Sequence, residues 1–260
     1  MDSRLRGNDI FQQSPKISMS HKNTTTFKHR YTNTLAHRHT NTPTHHHISA
    51  IIFDFDGVLT NTEPAHMRAW QKTLNPLGIT LDPKHYKTHY IGIGDINFVN
   101  EIPREHDYFP TDEEKTLFLK TKQKWFIEEL KKEVLAFDGV NFLLKAVSKK
   151  FPLAIVTGAQ RNEIKFVLKK QKWNSYFQNI ITTDDVQNGK PDPEGFLKAF
   201  PKIPPRNILV IEDSPRGIEG AKKAGMWCIA LLTSYPRERL KQADWIIADH
   251  RDLLTFIESL

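Results

Sequence analysis

Six short apolar runs between residues 50 and 249 constrain this chain more than any other feature. They read AIIFDFD (50–56), PLAIVTG (152–158), NIITTDD (179–185), NILVIED (207–213), WCIALL (227–232) and WIIAD (245–249). Helical patterns over 160–172, 193–200 and 215–224 separate them. Continuous apolar strands alternating with helices predict an α/β fold, with a parallel sheet covered on both faces. In such sheets ligands bind beyond the carboxyl ends of the strands. Polar residues with chemistry to perform are therefore expected at those ends.

The strand ends carry them. The first run ends in Asp54 and Asp56, which period-two geometry puts on one face. Two neighbouring acids on a core strand raise the cost of ionising each other, so something must compensate them. The second run ends in Thr157 and Gly158, just before a helix. The third is followed by NGKPDPEGF, which brings up Lys190, with Asp192 as a plausible N-cap and Pro193 as the first helical residue. The fourth ends in Glu212 and Asp213, with Ser214 and Pro215 opening the next helix in the same way. Each residue alone has an ordinary reading as a cap or loop group. Together, four strand ends supply four acids, one hydroxyl and one lysine.

A charge count suggests what they hold. The four acids total −4 when ionised, and one Mg²⁺ with Lys190 supplies +3. That balance favours keeping one carboxyl protonated, as a general acid requires. Carboxylates are habitual Mg²⁺ ligands. Thr157 and the helix N-terminus after it offer donors to an anion. A carboxylate nucleophile, a metal, a lysine and an anion seat describe phosphoryl transfer through an aspartyl phosphate.

DFDGVLT, VTGA, GKPDPEGF and IEDSPRGIEGAKKAGM resemble, in order and spacing, the four motifs of the haloacid dehalogenase-like superfamily. The resemblance covers roughly residues 49–250. It implies a Rossmann-like parallel-sheet core with an inserted α-helical cap. It implies Asp54 as nucleophile and Asp56 as general acid/base, with Thr157, Gly158 and Lys190 on the phosphoryl group. Asp213 and Glu212, with Asp54 and the Asp56 backbone carbonyl, would bind Mg²⁺. Dehalogenases of the superfamily lack an acid two residues after the nucleophile, so Asp56 implies phosphate chemistry.

About 95 residues separate the first two strands, more than an ordinary crossover holds. This interval reads as helical. Met67, Trp70, Leu74 and Leu77 recur at helical spacing, as do the apolar residues of EEKTLFLKTKQKWFIEELKKEV. The expected organisation is a tail (1–48), a core (49–62 and 137–260) and a cap (63–136), with hinges near 60–66 and 134–138. TEPAHMRAW and LKTKQKWF resemble cap segments of beta-phosphoglucomutase and its sugar-phosphatase relatives. The resemblance implies substrate-binding roles for His66 and Lys122. Equally open are His66 packing beside Trp70 and Lys122 on a solvated helical face. YIGIGDINF departs from the mutase pattern, placing Asp95 where the mutase has an arginine for a second phosphate. The expected activity is thus hydrolysis of a small phosphomonoester, with a phosphosugar mutase as the alternative. A phospho-accepting signalling domain needs neither a lid nor Asp56. An idle binding protein would not need all four motifs.

The remaining bounds concern location and partners. Residues 1–50 hold seven Lys/Arg and two Asp/Glu, leaving 30 basic and 28 acidic residues in the rest. A near-neutral folded part gives no case for nucleic acid as a partner. The longest apolar run, MWCIALL, is far short of the roughly 18 residues a membrane helix needs. The single cysteine, Cys228, fits a reducing compartment, and a cytoplasmic location is expected; a monomer acting on a small phosphorylated metabolite is expected as well. The first 48 residues are rich in Thr, His and Asn and too poor in aliphatic groups to build a core, so disorder is expected there. A metal-binding or phosphate-binding tail is the sharper alternative, since seven of the twelve histidines lie in it.

Overall fold

The computed structural model describes residues 47–260 except 92 and 133–135. The assignment of 1–48 as a tail falls outside it, save for its last two residues. Of these, Ile48 is buried in the main core, so the domain begins before residue 49.

β1 (Ala50–Phe53) comes first. Four helices follow: α1 (Glu63–Leu74), α2 (Pro83–His89), α3 (Asp95–Glu105) and α4 (Asp112–Lys132). The chain returns through α5 (Val140–Val147) to β2 (Leu153–Val156), α6 (Arg161–Gln171) and β3 (Phe177–Ile181). It continues with α7 (Glu194–Ala199), β4 (Ile208–Glu212), α8 (Pro215–Lys223), β5 (Trp227–Leu231), β6 (Trp245–Ile247) and α9 (His250–Glu258). The strands form one parallel sheet in the order β3-β2-β1-β4-β5-β6.

Period two explains why the strands read as unbroken apolar runs. Ile51 and Phe53 of β1, Ile155 of β2 and Ile211 of β4 pack on one face against α5, α6 and α9. Ala50 and Ile52, Ala154 and Val210 pack on the other against α7 and α8. Both faces are covered, so no position needs a polar side chain. Each fully buried Ile, Leu or Val contributes about 1.5–3 kcal/mol relative to exposure.

The chain winds outward from β1 to one side and then restarts at β4 on the other. A crevice opens at the carboxyl ends of strands where the order reverses. Residues 54–57 leave the sheet at that point, as do 213–214 just after Glu212 ends β4, which is why the acids of two distant motifs meet.

The insertion between β1 and α5 has its own apolar core, formed by Trp70, Leu74, Tyr86, Tyr90, Phe98 and Ile102 among others. α1 packs along α4, and Glu129 of α4 accepts from Arg68 (2.6 Å) and Lys72 (2.7 Å) of α1. The helical stripe read through Leu77 ends one turn earlier. Asn75–Leu77 is a 3₁₀ turn, and Leu77 is exposed. Where the chain enters and leaves the insertion, Thr60 and Ala136 form an antiparallel bridge. Part of the second expected hinge, 134–135, lies outside the described residues. Two boundaries differ from the sequence reading. β3 stops at Ile181, because Thr183–Asp185 turns into a 3₁₀ helix, and α7 takes Pro193 rather than Asp192 at its cap. Asp192 still accepts from the Glu194 amide (2.9 Å). Among the described residues no helix is long and apolar enough to cross a membrane.

Candidate active site

The acids converge because neighbouring strands are in register. Phe53 pairs with Ile211, and the Asp54 amide donates to the Ile211 carbonyl (2.9 Å). That places Asp54 beside Glu212 and Asp213. Lys190 reaches in from the loop before α7, and its ammonium donates to Asp54 and to Glu212 Oε1 (2.6 Å). Arg216 in turn donates to the Lys190 carbonyl (Nε, 3.1 Å), fixing the loop that carries it.

Glu212 is fully buried and held from both ends. Its Oε2 accepts from the amides of Asp213 (2.9 Å) and Ser214 (3.0 Å) and from the Ser214 hydroxyl (3.0 Å). Ser214 caps α8 by accepting from the Gly217 amide (3.1 Å). Two glycines make room for the acids. A Cβ on residue 217 would lie 1.6 Å from Glu212 Oε1, and one on residue 57 would lie 1.8 Å from Asp213 Oδ2. Gly57 also sits at φ +84°, where side chains are strained. Asp213 accepts from the Ser234 hydroxyl, and Asp56 from the Thr62 hydroxyl. Thr157 Oγ1 accepts from the Ala159 amide (3.0 Å), which shapes the turn into α6.

Electrostatics set the state of this cluster. Burial pushes the Asp54 carboxyl up to about 8, against the pull of Lys190 and with the push of Glu212. Burial likewise raises Asp213, helped by the charges of Glu212 and Asp54. It raises Asp56 too, against the Thr62 hydrogen bond and the charge of Lys122. For Lys190 burial acts downward, but Asp54 and Glu212 outweigh it and hold the ammonium charged. Negative charge exceeds positive in a desolvated space. Asp54, Glu212 and Asp213 each offer a carboxylate oxygen within 4.8 Å of the others. Hard oxygen donors with surplus negative charge fit Mg²⁺. The Asp56 side chain, turned to Thr62, is outside that carboxylate group.

These residues line one end of a cavity of about 440 Å³ between core and insertion. Asp54, Asp56, Thr157, Gly158, Lys190 and Asp213 line the core side; His66, Trp70, Tyr86, Tyr90, Asp95 and Phe98 line the other. Gln123 of α4 donates to Asn162 of α6 (3.2 Å), and Tyr235 donates to the Ile91 carbonyl, so the two sides touch around the rim.

Neither insertion residue takes the ordinary packing or solvent role weighed for it. Lys122 is not on a solvated face; its side chain is fully buried. Its ammonium donates to Asp95 Oδ2 (2.6 Å) and His66 Nδ1 (2.7 Å) and lies 4.6 Å from the centre of the Phe126 ring. It stands behind the cavity wall rather than on it. Asp95 also accepts from the Trp70 indole (3.0 Å). Burial acts upward on Asp95, but the charge of Lys122 and the hydrogen bonds from Lys122 and Trp70 hold it low. His66 lines the cavity and stacks on Phe126, with ring centres 3.9 Å apart, instead of packing on Trp70. Burial, reinforced by Lys122, pulls its imidazole down to about 3, so it is neutral.

A covered parallel sheet with a carboxylate–lysine centre at its switch point defines a phosphoryl-transfer type of α/β enzyme. The sequence profile of the haloacid dehalogenase-like hydrolases matches residues 51–231, and the chain belongs to that family. It is 29% identical over 213 residues to a validoxylamine A 7'-phosphate phosphatase of Streptomyces hygroscopicus subsp. limoneus, covering 76% of this chain and 92% of that protein. It is 30% identical to a phosphorylated carbohydrates phosphatase of Thermotoga maritima, covering 69% and 82%. The crystal structure of a beta-phosphoglucomutase from Clostridium difficile superposes with a TM-score of 0.71 at 27% identity, over 82% and 96% of the two chains.

Several site residues were not singled out in the sequence. Ser234 follows the fifth apolar run, and the strand-end rule extended to that run reaches it. Thr62 holds a side chain, Arg216 holds the Lys190 backbone and Gly217 leaves room for Glu212, and no spacing rule identifies such residues.

Proposed function

We propose that the protein is a Mg²⁺-dependent phosphatase acting on a sugar phosphate or similar small phosphomonoester. The observation that carries this reading is the convergence of Asp54, Asp56, Thr157 and Lys190 at one end of a covered cavity. Asp54 attacks phosphorus as the carboxylate, the form that the Lys190 ammonium favours and a metal ion beside it would favour further, and the bond from phosphorus to the leaving alcohol breaks. Asp56, whose carboxyl burial shifts toward the protonated form, gives its proton to the alcohol oxygen. As a carboxylate it then takes a proton from the water that attacks the aspartyl phosphate, which frees Asp54. Lys190 and the Thr157–Gly158 turn hold the phosphoryl oxygens in line. Asp54, Asp213 and Glu212 would hold Mg²⁺, which offsets the charge of the phosphoryl group. The insertion acts as the cap that excludes bulk water. A single buried cysteine supports a reducing, cytoplasmic location.

The likeness to a mutase supports a second reading, phosphoryl transfer between two positions of one sugar. A mutase needs a cation on the insertion wall for the distal phosphate. Among the described insertion residues lining the cavity there is no Lys or Arg, and Asp95 presents a negative charge there. The test is to follow beta-glucose 1-phosphate and a panel of sugar phosphates by NMR, with Mg²⁺ and with excess EDTA. Mg²⁺-dependent free phosphate is expected. Glucose 6-phosphate forming faster than phosphate favours the mutase, and full activity in EDTA overturns the metal assignment.

A further inference from the structure

Glu163 is a buried acid that the chemistry above does not use. It stands in the first turn of α6, directly after the Thr157–Gly158 turn, and lines the cavity at only 4% exposure. One carboxylate oxygen has a structural duty: Oε2 accepts from the Gln160 amide (3.1 Å) in a capping box. The other, Oε1, is buried and has no hydrogen-bond partner among the described residues. Leaving such an oxygen unpaired is costly, and helix capping needs only one. The cation whose charge bears on it has other duties, since Lys122 is committed to Asp95 and His66. Glu163 shares the cavity wall with Asp54, Asp56 and Asp95, so a phosphomonoester held there by its phosphoryl group has its alcohol half within the same space. Burial brings its carboxyl up to about 7. Near neutral pH it can therefore both accept and donate, as a hydroxyl does and an ammonium does not.

Resting on the phosphatase reading, we propose that Glu163 is a specificity-determining residue that pairs through Oε1 with a hydroxyl on the alcohol half of the substrate, near the ester oxygen. It thereby selects polyol and sugar phosphates over esters of plain alcohols.

The test compares Mg²⁺-dependent phosphate release by the full chain and its Glu163→Ala and Glu163→Gln variants. The substrates are glucose 6-phosphate and glycerol 3-phosphate against propyl phosphate and p-nitrophenyl phosphate. Glu163→Ala is expected to lower kcat/KM for the hydroxylated esters by about tenfold or more, mostly through KM, with little change for the other two. Glu163→Gln keeps the helix cap through its amide oxygen and offers its NH2 as a donor to the substrate hydroxyl, so it should recover most of that loss. An equal loss on all four substrates would reduce Glu163 to a helix cap, and no loss would leave it idle; either overturns the proposal. Wild-type turnover of the propyl and aryl esters alone also overturns it while sparing the phosphatase reading. No turnover of any ester overturns that reading and this inference with it.

Discussion

Lys122 shows how burial changes the meaning of a residue. A lysine on a helix rich in lysines reads as solvated, yet here its ammonium lies between Asp95 and His66 with no exposure. The pair Lys122–Asp95 spans α4 and α3, so neither segment alone reveals it. Breaking a buried pair leaves the partner charge uncompensated. Lys122→Ala is therefore expected to lower stability by about 3–5 kcal/mol, read as a drop in the denaturation midpoint. Removing both charges with Lys122→Met and Asp95→Asn should restore much of it, and a single variant as stable as wild type would contradict the pairing. His66 gives a pH signature. Its folded-state pKa lies far below its ordinary 6.5, so the unfolded chain takes up the proton first as pH falls. Its contribution is complete above about 6.5 and is lost between there and about 3, at roughly 1.4 kcal/mol per pH unit. Wild type should lose stability more steeply than His66→Gln between pH 6.5 and 5, measured by chemical denaturation. Parallel curves would mean that the imidazole titrates freely.

At the scale of elements, the turn from β4 into α8 ties helix geometry to chemistry. Ser214 caps the helix and also holds Glu212, which holds Lys190 against Asp54. A methyl group on residue 217 would occupy the place of the Glu212 carboxylate. Gly217→Ala is thus expected to fold but to lose about a hundredfold or more in turnover, because Lys190 loses its anchor. Turnover near wild type would show that Lys190 is positioned by other contacts. The sequence made part of this legible. Pro215 after Ser214 marks a helix start, and the acids before them mark a strand end. The need for glycine at residue 217 was not legible, because the atom it avoids belongs to the preceding strand and is placed by the fold. The same holds for Glu163: the helical pattern over 160–172 places it in a first turn but does not show the cavity above it.

For the whole molecule, the six apolar runs carried the architecture because period two and two-sided burial leave so little freedom in sequence. The strand-end rule located the core side of the site for the same reason: the order reverses beside β1 and β4. The insertion side was much less legible. Its helices follow from periodicity, but which of its polar groups face the cavity depends on how α1, α3 and α4 pack. The account's central claim is that phosphate leaves in two steps through Asp54. A substrate with an isotopically chiral phosphoryl group tests it, with the configuration at phosphorus read after turnover. Two successive in-line displacements predict net retention; net inversion would mean that water attacks the substrate directly and would contradict Asp54 as the nucleophile.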